Sequence, residues 1–162
     1  MTYRSPKKPR ITLGLKRTAA YVWQFPQHLL GYSFSKVWSS LTLTEHRRVY
    51  LNGLGVQIFI ASAESHRKHK LLSFVSGFSA GQYIFLNDGH DSTDIRHELG
   101  HSLQSMYLGP LYLLIVGIPS AANNLWDRWF HKHWMPGKRI RWYYCRFPEH
   151  WADKLGGAER FF

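Results

Sequence analysis

His97-Glu98-Leu99-Gly100-His101 sets two imidazoles four residues apart, with a carboxylate beside the first. On a helix, positions i and i+4 share a face, one turn apart. Two imidazoles so placed converge on one tetrahedral ion, and Glu98 reaches a water on that ion and takes its proton. Zinc lowers the pKa of such a water toward neutrality, so a modest base suffices. By chance the pattern arises in roughly two chains in a hundred of this composition, usually without a helix around it. Here Asp91, Ser92 and Thr93 suit a helix N-cap, and Ile95, Leu99 and Leu103 give the helix an apolar side. The expected motif helix spans 93–107.

A catalytic zinc takes three protein ligands and keeps a fourth position open. Glu149-His150-Trp151-Ala152-Asp153 offers the third. Glu149 and Asp153 are again i and i+4 on an expected helix. Glu149 then ligates, while Asp153 hydrogen-bonds the outer nitrogen of a ligand imidazole and fixes its tautomer. His150 and Asp153 stand as reserve ligands. The plainer alternative is a surface helix with an acidic first turn. The set predicts one Zn2+ ion on His97, His101 and Glu149, with Glu98 as general base. Tyr143, Tyr144, His131 and His133 are candidates for stabilising a transition-state oxyanion, with packing or surface roles as the plainer reading of each.

His-Glu-x-x-His followed by Glu-x-x-x-Asp resembles the gluzincin pattern of thermolysin-like metallopeptidases. That resemblance covers only the two motifs and implies His97, His101 and Glu149 on zinc, Glu98 as base and acid, and Asp153 behind His97. A wider set is similar to a family of small bacterial metallopeptidase-like proteins. It comprises Phe25-Pro26-Gln27, Leu29-Leu30-Gly31, Gly81 with Tyr83-Ile84-Phe85, and His97-Glu98 through Gln104-Ser105. It continues with Leu108-Gly109-Pro110-Leu111-Tyr112, Gly117-Ile118-Pro119-Ser120, and Glu149 with Ala152, Asp153, Gly156 and Gly157. This similarity runs over most of residues 23–157 and implies a zincin-like fold acting on a peptide or protein substrate. In zinc peptidases the strand before the motif helix often lies along the cleft and pairs with an extended substrate. The resemblance thus sets Tyr83 and Phe85 at the substrate, with an ordinary sheet strand as the equal alternative.

These residues need a frame. The chain has 162 residues, enough for one domain and its core. With 44% hydrophobic and 16% aromatic residues the composition is globular and excludes a disordered chain. Residues 1–17 carry Arg4, Lys7, Lys8, Arg10, Lys16 and Arg17 and read as a basic flexible arm, leaving 18–162 as a single domain. Over 27–41, Leu30, Phe34, Val37, Trp38 and Leu41 form one expected helical face. Residues 49–51 and 56–60 around Asn52-Gly53 read as a hairpin, 65–70 as a charged loop, and 71–75 and 82–86 as further strands. A second helix is expected from Pro110 with a break or kink at Pro119, a basic loop over 128–141, and a last helix over 149–155 capped by Gly156. The fold expected is α+β: a small, mostly antiparallel sheet packed on a helical zincin-like core.

The 21 Lys and Arg against 10 Asp and Glu give a net charge of +11, which steers the chain toward anionic partners. Cys145 is the only cysteine, so no intramolecular disulfide forms. The N-terminal residues lack the apolar run and small-residue cleavage site of a secretory signal, and a cytoplasmic location is the expectation. Residues 102–126 carry no charge, but their densest apolar part, 106–118, is too short to span a bilayer; a buried core helix or one dipping into a leaflet is expected. Trp126, Trp129, Trp134 and Trp142 among basic residues suit a membrane interface or stacked bases. A solvated basic face ranks level with membrane contact, and both rank above nucleic acid. Two functions follow: a zinc-dependent peptidase, or a zinc-stabilised, non-catalytic binding module at a membrane surface or on a protein partner.

Overall fold

The computed structural model describes residues 18–42, 44–51, 54–68 and 77–161, the side chains of 54 and 66–68 excepted. The expected basic arm at 1–17, the Asn52-Gly53 turn and the apolar run at 71–75 lie outside the described residues.

Residues 18–23 are helical and lead through Gln24 into α1 (Phe25–Leu41), with Pro26 in its first turn. Next come β1 (Thr44–Leu51), β2 (Leu54–Ala61), α2 (Ala63–Lys68), β3 (Gly77–Ala80) and β4 (Tyr83–Leu86). The motif helix is α3 (Ser92–Leu108). A 3-10 turn (Gly109–Leu111) and a π turn (Leu113–Gly117) carry the chain into α4 (Ile118–Phe130), followed by α5 (Pro136–Tyr144) and α6 (Glu149–Gly156).

The sheet order is β1-β2-β4-β3. β1 and β2 pair antiparallel, as do β3 and β4, while β2 and β4 run parallel, so the fold is α+β with a mixed sheet. Successive strand residues point to opposite faces. Tyr83 and Phe85 join Trp38 and Phe59 beneath α1, whereas Ile84 and Leu86 join Val56, Ile58 and Ile60 beneath Ile95 and Leu99 of α3. The sheet is thus covered by α1 on one face and the motif helix on the other.

Several elements differ from the expectation. β1 is longer than 49–51: it is an edge strand exposed along almost all its length, so it carries no apolar alternation to read. Residues 65–68 close a short helix where a charged loop was expected. α1 buries Gln24, Gln27, Gly31, Ser35 and Trp38 and leaves Leu30, Val37 and Leu41 exposed. Phe34 and Trp38 of the expected apolar face do pack on the sheet core, but the rest of that face stays outside because the helix also docks on α3 through buried polar groups. Ser105 Oγ donates to Gln24 Oε1 at 2.8 Å, and Gln27 Nε2 donates to Ser105 Oγ at 3.0 Å and to the Gly109 carbonyl at 2.8 Å. A buried polar network of this kind fixes register, and an apolar period does not reveal it.

Beyond α3 the chain turns at Gly109, whose φ of +53° favours glycine. Pro119 does not break the helical path. The π turn widens it, with the Ile118 N–H bonded to the Leu113 carbonyl, and α4 resumes with Pro119 in its first turn. Nor is this a core helix: Tyr112 and Val116 are buried, but α4 buries no residue at all. Residues 128–141 hold the end of α4 and the start of α5, so only 131–135 is loop. Gly157, at φ +69°, caps α6 in place of Gly156. Among the described residues no helix is long and apolar enough to cross a membrane.

Candidate metal centre

A capping box starts α3. Asp91 Oδ1 accepts from the N–H groups of Thr93 and Asp94 at 2.7 and 2.8 Å, and Asp94 Oδ2 accepts from the Asp91 N–H at 3.3 Å. His97 and His101 then project from one side of the helix, toward α6. The two helices touch backbone to backbone. A Cβ on Gly100 would overlap the Ala152 carbonyl oxygen, and one on Gly156 would overlap that of Arg96. This contact carries Glu149 and Asp153, one α6 turn apart, against the two histidines.

Three buried groups meet there. Glu149 Oε2 lies 3.1 Å from His97 Nε2 and 3.1 Å from His101 Nε2. Candidate ligand atoms of His97, His101 and Glu149 all lie within 4.8 Å of one another. Bonds of about 2.0–2.1 Å at tetrahedral angles hold two donors about 3.3 Å apart, close to the spacing seen here. Glu149 Oε1 is buried with no hydrogen-bond partner. Two imidazole nitrogens, a carboxylate and an orphaned buried oxygen fit a divalent metal ion in both donor chemistry and spacing.

Each imidazole is held from behind. His97 Nδ1 donates to Asp153 Oδ1 at 2.7 Å, and Arg160 Nε donates to Asp153 Oδ2 at 3.1 Å. His101 Nδ1 donates to Gln104 Oε1 at 2.7 Å, while Gln104 Nε2 donates to the Pro148 carbonyl at 3.1 Å. With both Nδ1 atoms donating, both Nε2 atoms turn toward Glu149. The Tyr144 ring stands edge-on to His97 with centroids 5.0 Å apart, and the Arg160 guanidinium lies 3.3 Å over that ring.

The electrostatics follow from this packing. Burial is the largest influence on His97 and opposes its charge, but hydrogen bonds to Asp153 and Glu149 outweigh it and raise the pKa to about 9. Burial likewise opposes ionisation of Glu149, yet hydrogen bonds from His101 and His97 hold it well below the usual carboxylate range. Burial pushes Glu98 upward, against the pull of both histidines. Glu98 is 6% exposed, and its Oε2 has no hydrogen-bond partner. The missing side chain of Gly77 makes its space: a Cβ there would lie 2.5 Å from Glu98 Oε1.

The other candidates divide. Tyr143 and Tyr144 stand at the centre's wall. The Tyr143 hydroxyl is 3.4 Å from Ser120 Oγ, and burial, reinforced by Glu149, keeps its proton on well beyond the usual range. His131 is held elsewhere, stacked on Trp134 at 3.8 Å, and His133 is exposed. His150 is exposed and outside the ligand cluster, so it is no reserve ligand. Tyr83 and Phe85 are core residues, 6% and 0% exposed, and β4 is flanked by β2 and β3. That strand has no free edge to offer a substrate, because a parallel β2 occupies the side that a hairpin reading leaves open. The strand beside Glu98 is β3, missed because Gly77–Ala80 carries one large apolar residue, Phe78, and is too short to show alternation. Gln104, three residues after His101 on the same helix, was legible as a local partner; Arg160 and Gly77 meet the centre only through the fold. No protein-family model, curated protein or solved structure matches this chain.

Proposed function

We propose that this chain is a zinc-dependent hydrolase of the metallopeptidase type, with His97, His101 and Glu149 holding the ion and Glu98 as the general base. The observation that carries this reading is the state of Glu98. A structural zinc site is closed by four ligands and has no use for a further acid. Here a further carboxylate, Glu98, is buried beside the three ligand groups with one oxygen unpartnered, a costly arrangement unless that oxygen has work to do. Zinc in this cluster supplies Lewis acidity and lowers the pKa of water there.

The chain's own residues supply the rest. Glu98 accepts a proton from the water that attacks the peptide carbonyl and returns it to the leaving amine; burial, by raising its pKa, suits it to hold that proton between the two transfers. Asp153 and Gln104 keep the imidazoles in the tautomer that presents Nε2. Tyr143, kept protonated by burial, donates to the carbonyl oxygen as it gains charge. An extended substrate lies along β3, which pairs only with β4 among the described residues.

The test is Glu98→Gln, assayed for zinc content and for hydrolysis of unfolded casein. Zinc stays stoichiometric while hydrolysis falls about 10²–10⁴-fold. Undiminished hydrolysis sinks the assignment. Silence of Glu98→Gln together with unfolding of His97→Ala assigns the metal to structure and the chain to binding.

A further inference from the structure

The helical path over 109–130 turns its apolar side outward. Leu111, Leu114, Ile118, Leu125, Trp126 and Trp129 are each about half or more exposed. Within α4, positions 118, 122, 125 and 129 fall on one helical face, and no charged residue precedes Asp127 on it. At its start, around Pro110, this face meets the exposed Val22 and Trp23, which with Thr18, Ala19 and Pro110 line an apolar notch. At its other end the surface changes sign. Residues 102–148 contain six cations and one acid, Asp127, and Asp127 is bridged by Arg139 at 2.5 Å. Lys138 and Arg146 lie over the rings of Trp134 and Trp142 at 4.0 and 4.3 Å.

From this surface we propose that the protein docks on anionic lipid bilayers, the 109–130 path lying in the plane of the interface. The apolar side chains enter the acyl boundary, the tryptophans sit at headgroup depth, and the cations of the 131–146 segment reach the lipid phosphates. Charge selects this occupant. A second copy would bring its own cationic rim, and a net +11, against the same face. The inner side of the path is tied to the centre's wall: Ser120 approaches Tyr143, and Asn123 Nδ2 donates to the Phe147 carbonyl at 2.9 Å. Docking therefore brings the metal centre to the bilayer surface, where membrane-apposed chains are its accessible substrates; that last step rests on the hydrolase reading, the docking does not.

The experiment is co-sedimentation of the full chain with vesicles of phosphatidylglycerol and phosphatidylcholine in equal parts, and with phosphatidylcholine alone. The chain sediments with the mixed vesicles, and brominated lipid quenches its tryptophan fluorescence. The double variant Trp126→Ser/Trp129→Ser loses about tenfold or more in apparent affinity with its thermal unfolding unchanged. Residues 1–17 keep their six cations in that variant, so the charge on the arm is the same in both proteins and the difference reads the two tryptophans. Failure of the chain to bind, wild-type binding by the variant, or a solution dimer that the double variant dissolves would each overturn the proposal. Hydrolytic activity plays no part in the readout, so its absence bears on the centre alone.

Discussion

Helices α3 and α6 bury His97, Glu98, His101, Glu149 and Asp153 where they face each other, whereas the helical path at 109–130 exposes apolar side chains. The two regions follow each other in the chain and share the stretch without charge. What separates them is what each side chain meets. In the centre, His97 and Glu149 have given up water, at a cost of several kcal/mol per charge that their mutual contacts outweigh, whereas at Glu98 burial prevails. Along 109–130, side chains that burial would reward stay in solvent. Both departures from an apolar inside and polar outside sit where a fold serves something other than its own stability. The centre is bound into the fold; the exposed stripe is almost independent of it.

Substitutions test that contrast, and the largest effect belongs to a residue with no side chain. Gly100→Ala forces α3 and α6 apart, because the added methyl meets the Ala152 backbone rather than a flexible side chain. We expect a loss of about 3 kcal/mol, a Tm lowered by roughly 10 °C in a thermal melt, and loss of bound zinc. Asp153→Asn comes next. It keeps the shape but removes the charge behind His97, and zinc affinity measured by chelator competition falls about 10–100-fold. The smallest effect is expected on the stripe. Leu114→Ser and Leu125→Ser change unfolding free energy by no more than about 0.5 kcal/mol in urea melts. A loss of about 2 kcal/mol or more there would show that the stripe belongs to the core and end the contrast.

How much of this was legible in the sequence depends on how far apart the partners lie. The ligand set rests on two i, i+4 pairs, which any helix brings to one face, so the geometry of His97, His101, Glu149 and Asp153 could be anticipated before the fold. The capping box at Asp91 was equally local. Arg160, Gly77 and Tyr143 were out of reach as site residues, or left among several, since their contacts with the centre come from separate elements. In the fold, α3 and α6 were readable from caps and period. The face of α1 was misread because its contact with α3 is made by Gln24, Gln27 and Ser105, and an apolar period assumes that what is inside is oily. β1 escaped for the opposite reason: exposed on both faces, it has no alternation. Pro119 argued for a break that the π turn absorbs.

The contact at Gly100 and Gly156 has a further consequence for anyone redesigning this protein. Because main-chain atoms touch main-chain atoms, the distance between the two helices is set by van der Waals radii and not by rotamers. Neighbouring side chains can be exchanged without moving His97, Glu98, His101 and Glu149, so the helix pair is a fixed gauge around which the cleft is free to be recut. The same rigidity closes one route: a larger residue at either glycine breaks the contact instead of widening it by degrees, and an ion needing a looser cage calls for a different pair of helices.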